Sequence, residues 1–335
     1  MIDYRFDIQL FANLNTNVTT ANNSTTQPYN DLSPTMKTFY RTQLLENARP
    51  KLYFNQFGMK QALPKNNGNT VEWRKFDTYA KATTPLTEGV TPDGRKINMT
   101  RITKEISQYG DYTTISDRLE MEAVDPIVMA VTEEHGAQAG ETLDTITRNE
   151  VMTGTNVIYG GTRTSRSALT AADTLTPEKV NQAATFLKKQ NCPEIDGGGY
   201  VAIIHPSVTY DLRQSSDWLD VHKYAQPDEI FNGEIGKLHN VRFVETTEAP
   251  IVQAGTGTVA YCTIFFGKDA YGIIDPSAEG LEVIVKQRGS AGTEDPLDQR
   301  STIGWKASHA AKILYQERIV RVETGSFYSA TDQVN

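Results

Sequence analysis

The chain has 335 residues, enough for two domains or one elaborate one, and enough to bury a sizeable core. Apolar residues make 38%, charged residues 22% and aromatics 9%, which excludes a collagen, a disulfide-dense miniprotein and a disordered tail. The net charge of −8 runs against the basic excess of a nucleic-acid binder, and no apolar run of about 18 residues offers a membrane span.

Met1 to Ala12 carries Asp3, Arg5 and Asp7, so it lacks the apolar core of a secretory signal. Asn13 to Thr26 holds five Asn and five Thr in fourteen positions. Such a segment cannot bury enough surface to offset its ordering entropy, which predicts a mobile arm. Ser33-Pro34 is a helix start, with Ser as cap and Pro at the first helical position, and Arg49-Pro50 ends that helix. Leu63 to Gly68 is turn chemistry.

From Asn69 to Ser116 the apolar period is two. Val71 and Trp73 alternate with Glu72 and Arg74, and a return run holds Ile97, Met99, Ile102, Lys104 and Ile106. The change of parity between Met99 and Ile102 predicts a bulge or sharp twist. Ala80 to Lys96, rich in Thr, Pro and Gly, joins the two runs. The prediction is a long two-stranded ribbon with a large polar tip, which needs outside support because an isolated ribbon is marginal in water.

Asp125-Pro126 opens a helix that runs to about Met152, a rod of roughly 40 Å. Gly136 and Gly140 stand four apart on one face of it. They are either tolerated imperfections or the place where another backbone comes close. His135, on the same helix, reads as a packed or interface residue. Asp117 to Glu150 holds nine acids and two bases, whereas Val71 to Asp111 holds seven bases and six acids. The acidic run is either a solvated face or the counter-surface for a ribbon. On the second reading Arg95, Lys96, Arg101 and Lys104 of one subunit lie over Glu133, Glu134, Glu141 and Asp144 of the next.

Beyond Thr155 the pattern is α/β. Thr176-Pro177 caps a helix carrying Val180, Ala183 and Leu187, and Gly197 to Gly199 turns into a strand from Tyr200 to Ile204. His205-Pro206 opens a helix with Val208 and Leu212. Strands follow at Val241 to Thr246, Ala260 to Phe266, Tyr271 to Ile274 and Leu281 to Lys286, and the stretch from Ser301 to Glu323 reads as strands. No nucleophile elbow, HExxH or phosphate loop is present, and an acidic loop surrounds His222. Cys192 and Cys262 form no CxxC pair and read as free buried thiols in a reducing cytoplasm. No enzyme, cofactor or metal site is expected.

The order of arm, ribbon, acidic rod, α/β insertion and return strands resembles the tailed-phage major capsid fold of the Hong Kong 97 type. Local blocks are similar to coat proteins of prophages and of the N-four-like phages: Ile8 to Ala12, Pro64 to Gly68, Ala82 to Pro92, Gln108 to Tyr112, Ala139 to Asp144, Gly154 to Val157 and Asp295 to Arg300. The resemblance runs from about Ser33 to Glu323. It implies an α+β fold with an N-terminal arm and short helix (1–65), an extension loop (66–116), a peripheral domain with the spine helix (117–174), an α/β axial domain (175–275) and peripheral return strands (276–335).

The resemblance further implies a shell protein of a virion, made in a bacterial host. It would assemble with itself as pentamers and hexamers of an icosahedral shell around double-stranded DNA, without sequence-specific DNA binding and without a membrane. With only some thirty residues before the first helix, no fused scaffold is expected but a separate one or none, together with a portal and in some cases a decoration protein. The acidic balance suits a lumen that does not grip phosphates. The alternative is another assembly-forming protein, a tail protein or an encapsulin-like compartment. A soluble hydrolase comes last, for want of a clustered nucleophile and base.

Overall fold

Two sheets, a ribbon and one long helix organise the residues that the computed structural model describes: 52–63, 68–122, 127–195, 198–215, 218, 234–255, 257–275, 281–290 and 295–335. The expected arm, the helix at Ser33, the Asp125-Pro126 cap and the loop around His222 lie outside these residues.

A short helix α1 (Phe54–Phe57) and strand β1 (Met59–Ala62) come first, followed by β2 (Thr70–Phe76), β3 (Met99–Glu105) and β4 (Ser107–Ser116). Then come α2 (Asp117–Glu122), the long α3 (Ile127–Val151) and β5 (Val157–Tyr159). Next are α4 (Pro177–Lys189), β6 (Tyr200–Ile204), α5 (Pro206–Arg213), β7 (Glu234–Leu238), β8 (Val241–Glu245) and β9 (Ile251–Gly255). The last strands are β10 (Thr258–Phe266), β11 (Tyr271–Asp275), β12 (Glu282–Lys286), β13 (Arg300–Ile313) and β14 (Ile319–Thr324).

β13 organises the five-stranded sheet. β4 runs antiparallel along one edge of it from Ser107 to Ser116, and the other edge takes β12 and then β11, with β1 parallel beyond. Period-two alternation sends Trp305 and Ala307 to one face, where they meet Ala139 and Leu143 of α3. Gly304, on the opposite face, leaves room for the partner strand. A Cβ there would stand 2.6 Å from Cβ of Tyr112 and 2.7 Å from the Asp111 carbonyl oxygen.

The second sheet runs β5-β14-β10-β6-β8-β7, with β9 also on β10. β6 is buried at all five positions, as a strand covered on both faces must be. Val180, Ala183 and Leu187 of α4 cover one face, with Phe243 and Phe265 of the sheet. The other face contributes Ile203, Val244, Ile264 and Phe266 to a second core, which also contains Phe54, Val151, Tyr271 and Ile313. That shared core joins the two sheets. The expected caps hold: Thr176 accepts a hydrogen bond from the Lys179 amide at 3.4 Å, and His205 accepts one from the Ser207 amide at 3.2 Å.

The structure departs from the sequence reading in two respects. β2 and β3 pair in unbroken register from Thr70↔Glu105 to Phe76↔Met99, so there is no bulge between Met99 and Ile102. Met99 lies on the open face of the ribbon, and the break falls at Ile106, where the chain leaves β2 to pair with β13. Sheet membership is not sequential along the chain, since β11 lies in the five-stranded sheet and β14 in the seven-stranded one. The sequence reading does not identify β5, which is only three residues long, or β1, β7 and β9, which are short and interrupted by Gly or polar residues.

Candidate assembly surfaces

The alternation that forms the ribbon also fixes it to the body. Residues directly opposite share a face, so Val71, Trp73 and Lys75 of β2 lie with Lys104, Ile102 and Thr100 of β3. This face is turned inward. Trp73 packs on Gly272, whose missing Cβ would sit 3.0 Å from the indole. Lys75 Nζ stands 4.5 Å above the Tyr315 ring, a cation–π contact. Lys104 and Lys312 both donate to Glu150 near the end of α3, at 3.1 and 2.9 Å. Burial pushes the Glu150 carboxyl up, but the bonds from Lys312 and Lys104 outweigh it and hold the group below its ordinary range.

The outer face of the ribbon neutralises itself, with Glu72 pairing to Arg74 at 2.7 Å and to Arg101 at 3.4 Å. Beyond Phe76 the two limbs carry on as irregular chain, and every residue from 77 to 98 is exposed. The limbs are tied by the Asp77 amide to the Asn98 carbonyl, and by the Arg95 guanidinium to the Ala80 carbonyl. Leu86 (78% exposed), Val90 and Ile97 stand in solvent there.

α3 changes character along its length. In its first half Val128, Met129, Glu133, Glu134 and Gly136 are exposed, and nothing lies within 4 Å of where a Gly136 Cβ would be. His135 on the inner side is buried between Thr113 (3.0 Å) and Gln138 (3.2 Å), a packing role. Gln138 in turn bridges Asp111 and the Trp305 indole. In the second half Asp144 is 1% exposed and accepts the Asn55 amide at 2.9 Å, capping α1. Burial raises the Asp144 carboxyl to about 6, against the lowering effect of the Asn55, Tyr53 and Phe54 amides. Thr147 joins Asn55 (2.6 Å) to His309 (2.9 Å), and Arg148 reaches Glu248 at 3.1 Å.

The ten residues expected at a subunit contact therefore separate. Arg95 and Lys96 lie on the exposed tip, and Glu133, Glu134 and Gly136 on the open half of α3. Glu141 is half-buried. Arg95 is tied to the Ala80 carbonyl, and four others also meet named groups of their own chain. Arg101 pairs with Glu72, Lys104 with Glu150, Asp144 with α1, and Gly140 faces Leu52, whose Cδ1 would lie 3.0 Å from a Cβ at that position. Asp144 and Gly140 thus serve the packing of α3 on the segment before β1, a role that spacing on the helix does not separate from an outward one. Glu150, Lys312 and Tyr315, which fix the ribbon root, lie too far apart in sequence to be paired by pattern.

Among the described residues no three His, Cys, Asp or Glu side chains converge on a metal-sized site, and no helix is long and apolar enough to cross a membrane.

A protein-family profile described as phage capsid protein matches residues 100–322, more than half of the chain. No curated protein matches. Several solved structures do. The capsid of cyanophage Pam1 aligns over 90% of this chain and 99% of its own, with a TM-score of 0.70 at 13% identity. The capsid of cyanophage P-SCSP1u aligns over 88% and 94%, with a TM-score of 0.66 at 16% identity. The capsid of Ralstonia phage GP4 aligns over 88% and 96%, with a TM-score of 0.66 at 15% identity. At these identities the likeness shows the fold, which is the α+β capsid fold of the Hong Kong 97 type. The profile match shows more: the chain belongs to the phage capsid protein family, and its place is the capsid of a virion.

Proposed function

We propose that this capsid protein is the major shell subunit, closing as pentamers and hexamers into an icosahedral container for double-stranded DNA. In that reading the ribbon is the extension loop and α3 the spine helix. The five-stranded sheet belongs to the peripheral domain and most of the seven-stranded sheet to the axial domain. Each subunit meets the next through unlike surfaces, a heterologous contact that repeats around closed rings.

The observation that carries the reading is the ribbon. Its root is fixed by Trp73, Lys75 and Lys104, yet residues 77–98 are exposed throughout and present Leu86, Val90 and Ile97 to solvent. A two-stranded projection of this kind is marginal alone and needs a surface outside its own subunit. Arg95 and Lys96 at the tip, and Glu133 and Glu134 on the open half of α3, have the opposite charges that a neighbouring copy would match. A separate scaffold, a portal and a decoration protein are further partners of such a shell. The chain's acidic balance suits a lumen that holds DNA without base-specific contacts.

Sedimentation and negative-stain microscopy of the expressed chain test the reading. Closed particles or rings of megadalton size are expected. A small soluble oligomer at every salt and protein concentration would overturn it.

A further inference from the structure

Exposed large hydrophobic side chains are unevenly placed. Among the described residues most lie on the ribbon, β1, α2, the first turn of α3, β12 and the loop before β13. The part of the molecule built on the seven-stranded sheet has, apart from Val334, one group: Tyr210 on α5 (49% exposed), Phe327 (70%) and Tyr328 (68%). The Tyr210 and Tyr328 rings touch, with centroids 5.3 Å apart.

The backbone beneath these rings is held firmly. Ser326, 1% exposed, donates to the Ser207 carbonyl at 3.1 Å and accepts the Tyr328 amide at 3.1 Å. The Phe327 amide donates to Asp211 at 3.1 Å. Asp332 accepts from Tyr261 (2.6 Å), Ser329 (2.5 Å) and Ser207 (3.3 Å), which fixes the chain just beyond. Aromatic rings on a pre-ordered backbone lose little entropy when covered, and such rings dominate the centres of protein interfaces.

We propose that Tyr210, Phe327 and Tyr328 form the centre of a contact with a second copy of this chain. The inference rests on the shell reading and adds to it a contact made by the half of the subunit that does not carry the ribbon. Three aromatics at these exposures present roughly 300–400 Å² of apolar surface, the size of the largest patch on a typical monomer. A standard interface takes about 800 Å² from each partner, so the cluster fills the centre of one and leaves a polar rim to α5, where Arg213 is exposed. The occupant is another subunit because a closed ring requires each copy to present such a surface to the next. No other exposed aromatic is described on this half.

Tyr328→Cys with a maleimide reagent tests it. Cys192 and Cys262 are buried, and burial pushes their thiols up to about 11 and about 12, so they give a low background at neutral pH. Fast labelling is expected in the unassembled subunit, and labelling at least tenfold slower in particles. If the variant alone assembles poorly, a minor fraction of it mixed into wild-type particles gives the same reading. Equal labelling in particle and subunit would overturn the proposal. Slow labelling already in the subunit would overturn it too, by showing that the chain covers the cluster itself. If the wild-type chain forms only smaller oligomers, and the Tyr328→Cys thiol mixed into them is protected, the contact is supported while the shell is refuted; a chain that stays monomeric would refute both.

Discussion

Glu133 and Glu134 stand on the first half of α3 with their side chains in solvent, whereas Asp144 and Glu150, on the second half, are inside hydrogen-bonded clusters. The four look alike in sequence, as members of one acidic run. They differ because Asp144 and Glu150 lie where α1, β13 and the ribbon root supply backbone amides and lysines, whereas Glu133 and Glu134 lie on the side of α3 away from the β4 and β13 contacts of His135, Gln138 and Ala139. An acid-rich helix in this protein is therefore two objects. One end holds the subunit together, and the other is a surface available to a partner.

The widest separation between the two ends should appear in subunit stability. Arg148 is 4% exposed and bound to Glu248, with Asp144 beside it. Arg148→Met leaves both carboxylates without their cation and should destabilise the unassembled subunit by about 3 kcal/mol. Glu133→Gln on the open end should change stability by no more than about 0.5 kcal/mol. Urea denaturation of both variants measures this, and equal effects would erase the distinction drawn between the two halves.

A pH series sharpens the same point. Burial raises Asp144 to about 6 in the folded subunit, above its unfolded value of about 3.9. The folded state therefore holds this proton more tightly than the unfolded chain. The stabilisation from Asp144 is full below the unfolded pKa and is lost as pH rises through about 6. The swing is on the order of 2–3 kcal/mol. Asp144→Asn stays neutral, so its stability relative to wild type should rise between pH 4.5 and pH 7.5. A constant difference over that range would mean that the carboxylate is ionised throughout.

The glycines divide in the same way. Gly140→Leu forces a side chain against Leu52, and overpacking of about 1–3 kcal/mol should exceed the roughly 0.8 kcal/mol gained in helix propensity. Gly136→Ala meets nothing and should stabilise the subunit by about 1 kcal/mol. Thermal melts of the two variants check the signs. Gly136→Leu, rather than the change at 140, then reports on assembly. Failure to form shells from a stable subunit would locate a neighbouring chain over that turn.

How far the sequence could be read follows from these contacts. Period-two alternation placed β2, β3, β4 and most of the α/β strands, and Pro at the first helical position marked α4 and α5, because those signals are local. The ribbon root was not readable. Lys104 meets Glu150 and Lys312, and Lys75 meets Tyr315, only because β3, β13 and α3 converge in space. For the same reason the sequence pattern does not separate Asp144 from Glu133 and Glu134, or Gly140 from Gly136. Helical spacing names a face, but it does not say which turns of that face are crossed by a chain from elsewhere.

The smallest effect expected is that of the charges between ribbon and helix. Arg101 and Lys104 do not suit such a test, because Arg101 is paired with Glu72 and reversing Lys104 sets a carboxylate beside Glu150 and alters the subunit itself. Lys96 on the tip and Glu133 on α3 are both exposed and distant from those clusters. Each exposed pair contributes only about 0–1 kcal/mol, and at a Debye length near 10 Å in 0.1 M salt the longer-range part of the attraction is screened. Lys96→Glu should therefore leave subunit stability unchanged and slow assembly several-fold at low salt. Adding Glu133→Lys in the same chain should restore part of the rate, and both effects should fade as salt is raised. Light scattering during assembly follows all three. If Lys96→Glu assembles at the wild-type rate in low salt, the tip rests on some other surface and the acids on the open end of α3 are solvated charge.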